Sequence, residues 1–307
     1  MRIFNFGSLN IDRVYSVPHH VMPGETITAS ELNTYAGGKG LNQSIAAARA
    51  GGETIHIGAV GSDGEFLVDM LEKSGVSTRF IRRVDVSSGH AIIQVSPDGQ
   101  NSIVIFGGAN RTFSAEQIRE CLTQADKGDY VLLQNETNEI ATIIKEAADR
   151  RLKVVFNPSP LTEDILSLPL EQVSLFMVNE IEGAQLACMS PDDEPSAILD
   201  ALSERYPCAD IVLTLGSRGV ICKVGGEVFS QPIFKVTPVD TTAAGDTFCG
   251  YFLACRCKGM SVSDTLRFAS AASAITVSRA GAAPSIPDRN EVEGFLKEQS
   301  QNESGTV

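Results

Sequence analysis

Short apolar runs alternate with helix-like stretches over most of the chain. Ile3–Gly7, Thr54–Val60, Tyr130–Gln134, Lys153–Asn157, Ser174–Asn179 and Asp210–Leu215 read as strands. Between them, Gly40–Ala50, Glu65–Lys73, Ser114–Thr123, Asn138–Arg151 and Ala197–Tyr206 read as helices. This βαβ alternation predicts a mainly parallel sheet covered by helices on both faces. Thr26–Tyr35 and Gly89–Phe106 break the pattern, because they look like strands with no helix between them. Extra strands of that kind predict a small sheet, drawn from about 11–36 and 89–107, standing as a lid over the carboxyl ends of the main sheet. Pro97-Asp98-Gly99 and Gly107-Gly108-Ala109-Asn110 suit hairpin and hinge positions. The chain turns helical after Thr242 and closes with a helix near Arg289–Lys297. With no internal repeat or linker, residues 1–298 read as one α/β domain, followed by a polar, flexible tail at 299–307.

Composition narrows the functions. A formal net charge of -13 and the absence of Trp argue against a nucleic-acid partner. A bound phosphate must then be held by local groups, since the overall field repels it. The seven cysteines form no CxxC pair and no Cys/His ligand spacing, which suits free thiols in a reducing cytoplasm. No signal peptide or membrane span is read, and His19, His20, His56 and His90 have no ligand spacing. The expectation is a cytoplasmic protein.

Candidate chemistry gathers at two places. Near the C-terminus, Asp240-Thr241-Thr242-Ala243-Ala244-Gly245-Asp246-Thr247-Phe248 leads into a helix whose apolar positions include Phe248, Tyr251, Phe252 and Cys255. Small residues at a helix start let a phosphate reach unpaired backbone N–H groups. Asp246 could then accept a hydroxyl proton during phosphoryl transfer, or simply complement the helix dipole; spacing leaves both open. Near the N-terminus, Gly7-Ser8-Leu9-Asn10-Ile11-Asp12 closes a strand. Asn10 and Asp12, two apart, project to one side, where they can bind adjacent hydroxyls or merely cap a turn. Gly37-Gly38-Lys39-Gly40-Leu41-Asn42-Gln43 is a Gly-rich turn before a helix, either a ligand cradle or ordinary capping. It is no Walker A loop, because Gly40 follows Lys39, and Gly58–Gly64 lacks dinucleotide spacing.

Together these motifs resemble the ribokinase-like (PfkB) carbohydrate kinase family, in the family's order, from Gly7 to about Pro287. The resemblance implies a three-layer α/β/α fold with a small β-sheet lid. It implies that Asp246 is the catalytic base and that backbone at Ala243, Ala244 and Gly245 forms the anion hole with it. Asn10, Asp12, Gly38, Lys39, Asn42 and Glu136 map onto sugar contacts. Gln134-Asn135-Glu136 departs from the usual Gln-Leu-Glu, which points to a changed pocket. Asn179 and Glu182 match an Asn-x-x-Glu element that organises Mg2+ largely through water. Thr214, Gly216 and Gly219 match a nucleotide loop, and Ser270 falls near adenine. Asp240, Thr242, Thr276, Arg279, Gly281 and Ser285 match a monovalent-cation site for K+. The implied activity is transfer of the γ-phosphate of Mg-ATP to a sugar's primary hydroxyl, with D-ribose O5 expected first. Deoxyribose, another pentose, a hexose such as fructose, or a nucleoside stays open. A non-catalytic sugar- or nucleotide-binding regulator is the alternative of another class. Family members often pair through their lids, which implies a homodimer.

Overall fold

The computed structural model describes residues 1–304. Its elements begin β1 (Ile3–Phe6), β2 (Asn10–Ser16), β3 (Glu31–Gly37), α1 (Lys39–Arg49), β4 (Thr54–Val60), α2 (Glu65–Lys73), β5 (Ser77–Arg83), β6 (Gly89–Val95) and β7 (Asn101–Phe106). Next come α3 (Ala115–Leu122), β8 (Tyr130–Gln134), α4 (Ile140–Asp149), β9 (Lys153–Asn157), β10 (Leu175–Asn179), α5 (Glu180–Ala187) and α6 (Pro195–Arg205). The chain ends with β11 (Asp210–Thr214), β12 (Val220–Val224), β13 (Glu227–Gln231), α7 (Ala244–Cys257), α8 (Val262–Val277) and α9 (Arg289–Ser304).

The main sheet has the order β13-β12-β11-β10-β9-β8-β1-β4-β5. Its strands run parallel from β5 to β11, and an antiparallel hairpin, β12 and β13, closes one edge. Alternate side chains feed two cores, as the pleat requires. Ile3, Leu132 and Val155 pack toward α1, α2, α7, α8 and α9. Phe4, Val131, Val154 and Phe156 pack toward α3, α4, α5 and α6. Each such fully buried side chain contributes about 1.5–3 kcal/mol, so apolar burial is the main force holding the three layers. No helix among the described residues is long and apolar enough to cross a membrane.

The lid is a four-stranded sheet of order β3-β2-β6-β7: β3, β6 and β7 come from the two segments that broke the alternating pattern, and β2 adds Asn10–Ser16. It springs directly from β1 through Gly7-Ser8-Leu9, which roots Asn10 and Asp12 at the carboxyl edge of the main sheet.

Several boundaries differ from expectation. The lid strand expected from Thr26 begins at Glu31, where pairing with Ser16 of β2 starts. The tail expected at 299–307 is helical as far as Ser304. No Gly or Pro interrupts that stretch, and Ser300 Oγ donates to the Leu296 carbonyl at 2.9 Å while accepting from Arg267 at 3.0 Å. Residues 305–307 of the expected tail lie outside the described residues. Strand β5 was not expected. It is an edge strand with a single buried residue, Ile81, and so carries little apolar signal.

Candidate active site

The site forms where the parallel strands end. Helix α1 starts hard against β1: a Cβ on Gly40 would lie 2.4 Å from Gly7 Cα and 2.3 Å from Ser8 N. Only glycine at 40 permits that approach. It lets Leu41 N donate to the Ser8 carbonyl at 3.0 Å. The same approach aims Lys39 N at Glu136 Oε2, 3.1 Å away, and the Ser8 hydroxyl donates to that same oxygen. Burial pushes the Glu136 carboxyl above its usual range, and the bonds from Ser8 and Lys39 only partly offset this. Asp12 stands nearby with its pKa raised to about 7, first by burial and then by the charge of Glu136. The lid backbone presses on that carboxylate, since a Cβ on Gly37 would sit 2.0 Å from Asp12 Oδ2. Asn10 is turned by Asn110, whose Nδ2 donates to Asn10 Oδ1 at 2.8 Å, while Leu9 N donates to Asn110 Oδ1 at 2.9 Å. Asn10, Asp12, Gly38, Lys39 and Glu136 thus gather at the root of the lid, with Asn42 following on α1.

Across α1 lies the start of α7. Ala243, its N-cap, holds the left-handed conformation (φ 60°), which costs a non-glycine residue about 1–2 kcal/mol. The start of α7 has no side-chain cap, and Ala244 N donates to the Thr241 carbonyl at 3.3 Å. Asp246 is 8% exposed. It accepts from Asn42 Nδ2 on Oδ2 at 3.0 Å and from Gln43 Nε2 on Oδ1 at 2.9 Å. The buried Asn42 Oδ1 has no protein partner, an acceptor poised for a ligand. Burial alone pulls the Lys39 ammonium down, but Asp246, Glu136 and Glu182 outweigh it and raise its pKa, so it stays charged. Lys39 lines a cavity of about 220 Å3 with Asn157, Asn179, Glu182, Ala243, Ala244, Gly245 and Asp246.

A second cavity, of about 420 Å3, continues from the first. Both are lined by Thr214, Thr241, Ala244, Gly245 and Phe248. Its far end has apolar walls from Val220, Ile233, Phe234 and Val236, and Gly216, Gly219 and Ser270 also line it. The result is one trough, polar at Asp246 and apolar at its end.

The expected ion ligands are placed less uniformly. Asn179 and Glu182 form a capping box on α5: Glu182 N donates to Asn179 Oδ1 at 2.9 Å, and Asn179 N to Glu182 Oε2 at 3.1 Å. Both still line the smaller cavity. Asp240 binds Thr242 (N at 2.9 Å, Oγ1 at 2.6 Å) and accepts from Gly281 N at 2.9 Å, which joins the two loops. Burial raises the Asp240 pKa, but these bonds outweigh it and hold the group below its usual range, hence anionic. Thr276 Oγ1 donates to Thr247 Oγ1 at 3.1 Å, and the Arg279 guanidinium pairs with Glu291 at 2.6 Å. The Ser285 hydroxyl donates to Ala282 O at 2.7 Å. Among the described residues, no group of three or more His, Cys, Asp or Glu is placed to hold a metal ion.

Three participants escaped the sequence reading: Ser8, Gln43 and Asn110. Gln43 stands beside a recognised motif residue, but helical spacing does not show that it turns to Asp246. Asn110 read only as a hinge, because its contact lies 100 residues away. Asn135, expected to signal a changed pocket, donates to the Pro160 carbonyl at 2.7 Å and to Thr162 Oγ1 at 2.9 Å. It ties down a neighbouring loop.

A buried carboxylate with a phosphate-sized trough on one side and a carboxylate–amide cluster on the other is the arrangement of a small-molecule kinase. The pfkB family carbohydrate kinase model matches residues 2–289, and the chain belongs to that family. It is 36% identical over 300 residues to the ribokinase of Haemophilus influenzae, covering 95% of this chain and 97% of the relative. A ribokinase structure from Cryptococcus neoformans in complex with ADP superposes with a TM-score of 0.81 at 36% identity, covering 95% of this chain and 99% of that one. The Arabidopsis thaliana ribokinase complexed with ribose and ATP gives 0.84 at 31% identity, covering 96% and 98%. The three-layer fold with its lid is therefore ribokinase-like.

Proposed function

We propose that the protein transfers the γ-phosphate of ATP to the O5 hydroxyl of D-ribose. The observation that carries this reading is the place of Asp246, between the Asn42 side of the lid cleft and the amides that open the nucleotide trough. Its relatives carry the name ribokinase, one of them solved with both ribose and ATP. The ring hydroxyls would be held by Asn10, Asp12, Asn42 and Glu136, which puts O5 against Asp246. Asp246 takes the O5 proton as that oxygen attacks phosphorus. The α7 amides and the Lys39 ammonium neutralise charge on the transferred group, and the lid excludes competing water. Mg2+ on the nucleotide supplies further charge neutralisation; Asn179 and Glu182 are the oxygen donors that would hold it through water.

The test is ADP release with Mg-ATP and potassium across pentoses, hexoses and nucleosides. The highest kcat/KM is expected for D-ribose. A clear preference for a nucleoside or hexose overturns the ribose assignment and keeps the kinase. Absence of turnover with retained sugar binding overturns catalysis itself.

Two finer expectations belong here. The anionic Asp240, tied to Gly281 and set among loop carbonyls, has the donor chemistry of a potassium site. Turnover in potassium should exceed that in sodium or choline severalfold, and equal rates would remove the cation. The lid also exposes apolar side chains: Val104 is 64% exposed and Phe106 53%, on one face of β7. An uncovered strand edge of this kind invites pairing. We propose a homodimer closed lid to lid. Sedimentation at micromolar concentration should give the mass of two chains, and V104D/F106D the mass of one; a single-chain mass for the parent overturns the dimer. The seven unpaired thiols, four of them buried, suit the reducing cytoplasm.

A further inference from the structure

Asp246 receives one amide hydrogen bond on each oxygen, and the one from Gln43 can exist in only one of that side chain's two orientations. A glutamine amide turned over would set its carbonyl against the carboxylate. What fixes the orientation is a relay of amides, buried but for the half-buried Asn157, across the carboxyl ends of β1, β8 and β9.

At one end, Asn157 Nδ2 donates to the Met177 carbonyl at 2.8 Å, which leaves Asn157 Oδ1 to accept from Gln43 Nε2 at 2.9 Å. At the other, Asn5 Nδ2 donates to the Gly40 carbonyl at 2.8 Å, so Asn5 Oδ1 must accept from Gln134 Nε2 at 2.9 Å. The second hydrogen of Gln134 Nε2 goes to Gln43 Oε1 at 2.8 Å. Backbone carbonyls only accept, so both ends have a fixed polarity, and every amide between them is forced.

A side branch obeys the same polarity. Asn5 also donates to Ser44 Oγ at 2.8 Å, and Ser44 Oγ lies 2.8 Å from His56 Nδ1. His56 Nε2 is 3.2 Å from the Gly7 carbonyl, so it carries the ring proton and Nδ1 accepts from Ser44. Burial lowers the His56 pKa to about 4 and keeps it neutral. Asn5, Gln43, Ser44, His56 and Gln134 are all completely buried, so a turned-over amide would be costly, although Gln134 Oε1 itself has no partner.

We propose that Gln43 is a positioning residue for phosphoryl transfer: aimed by Gln134 and Asn157, it holds the Asp246 carboxylate with its remaining lone pairs turned to the acceptor hydroxyl. This rests on Asp246 being the base. Gln43→Met keeps the volume and removes the donor. Small misplacements of a reacting group cost up to about 100-fold, so kcat should fall by about 10–100-fold, with sugar and ATP dissociation constants near those of the parent. Gln134→Met leaves Gln43 in place but free to turn over, and should give a smaller loss of the same kind; it carries the test if Gln43→Met does not fold. Adding Gln43→Met to Asp246→Asn should cost no further turnover, because the residue acts only through that carboxylate.

The inference is overturned if Gln43→Met keeps the parent kcat while Asp246→Asn is crippled. It is also overturned if the Gln43→Met loss tracks weakened binding, or persists undiminished in the Asp246→Asn background. Parent-like turnover of Asp246→Asn would instead overturn the base assignment, and the positioning role with it.

Discussion

Asp246→Asn is expected to lower kcat by about 10²–10⁴-fold and to leave both substrates bound. The substitution keeps the shape of the side chain, so α7 and its amides stay where they are. It removes the carboxylate that accepts from both Asn42 and Gln43. An amide in its place turns an NH2 toward one of those two donors, and losing that bond costs roughly 1–3 kcal/mol of stability. The protein should therefore unfold at a somewhat lower temperature yet still fold. Steady-state kcat, with calorimetric titration of sugar and of ATP, separates the effects. Turnover near the parent value would remove Asp246 as the base and return it to its other role, complementing the helix dipole. A chain that only binds its ligands would show no penalty, because binding has no need of a proton acceptor.

The architecture was legible because its strands are buried on both faces. Thr54–Val60, Tyr130–Gln134 and Lys153–Asn157 appear in the structure with the expected bounds, since continuous apolar runs between helices have few alternative readings. Elements that bury little were not legible. β5 offers one buried residue, and α9 outruns its apolar signal to Ser304. The motif residues of the site were legible by type and order. Their supports were not, because Gln43, Asn110 and Ser8 act across separations of about one hundred residues or more, which no local pattern encodes. The motif Asn179-x-x-Glu182 shows the converse. Its helix-capping reading and its cavity-lining reading hold at once, so the local pattern could not have chosen between them.

Asp12→Asn should make the ligand-free protein more stable at pH 8 while weakening sugar binding. Burial and the neighbouring Glu136 raise the folded-state pKa of Asp12 to about 7, against 3.8 for an ordinary aspartate. Below both values the carboxyl is protonated in folded and unfolded chains alike and contributes nothing. As pH rises between them, the unfolded chain gives up its proton while the folded chain keeps it. The folded state then binds more protons, so stability falls with pH until the loss is complete above about 7. Asparagine has no such proton, and it also relieves Glu136 of a like charge. The gain in Tm should be greatest at pH 8 and fade toward pH 4. Binding should move the other way, because on the proposed reading the sugar hydroxyls would donate to the charged carboxylate. A hydrogen bond to a charged group is worth about 1.5–3 kcal/mol, so the dissociation constant for the sugar should rise by roughly 10–100-fold. In the parent chain, sugar affinity should weaken as pH falls through about 7, and in the variant that dependence should be reduced. Thermal melts at pH 5 and pH 8, with titrations of sugar at both, check each sign. A variant less stable at pH 8 would mean that the apposed carboxylates Asp12 and Glu136 are not the strained element of the empty site.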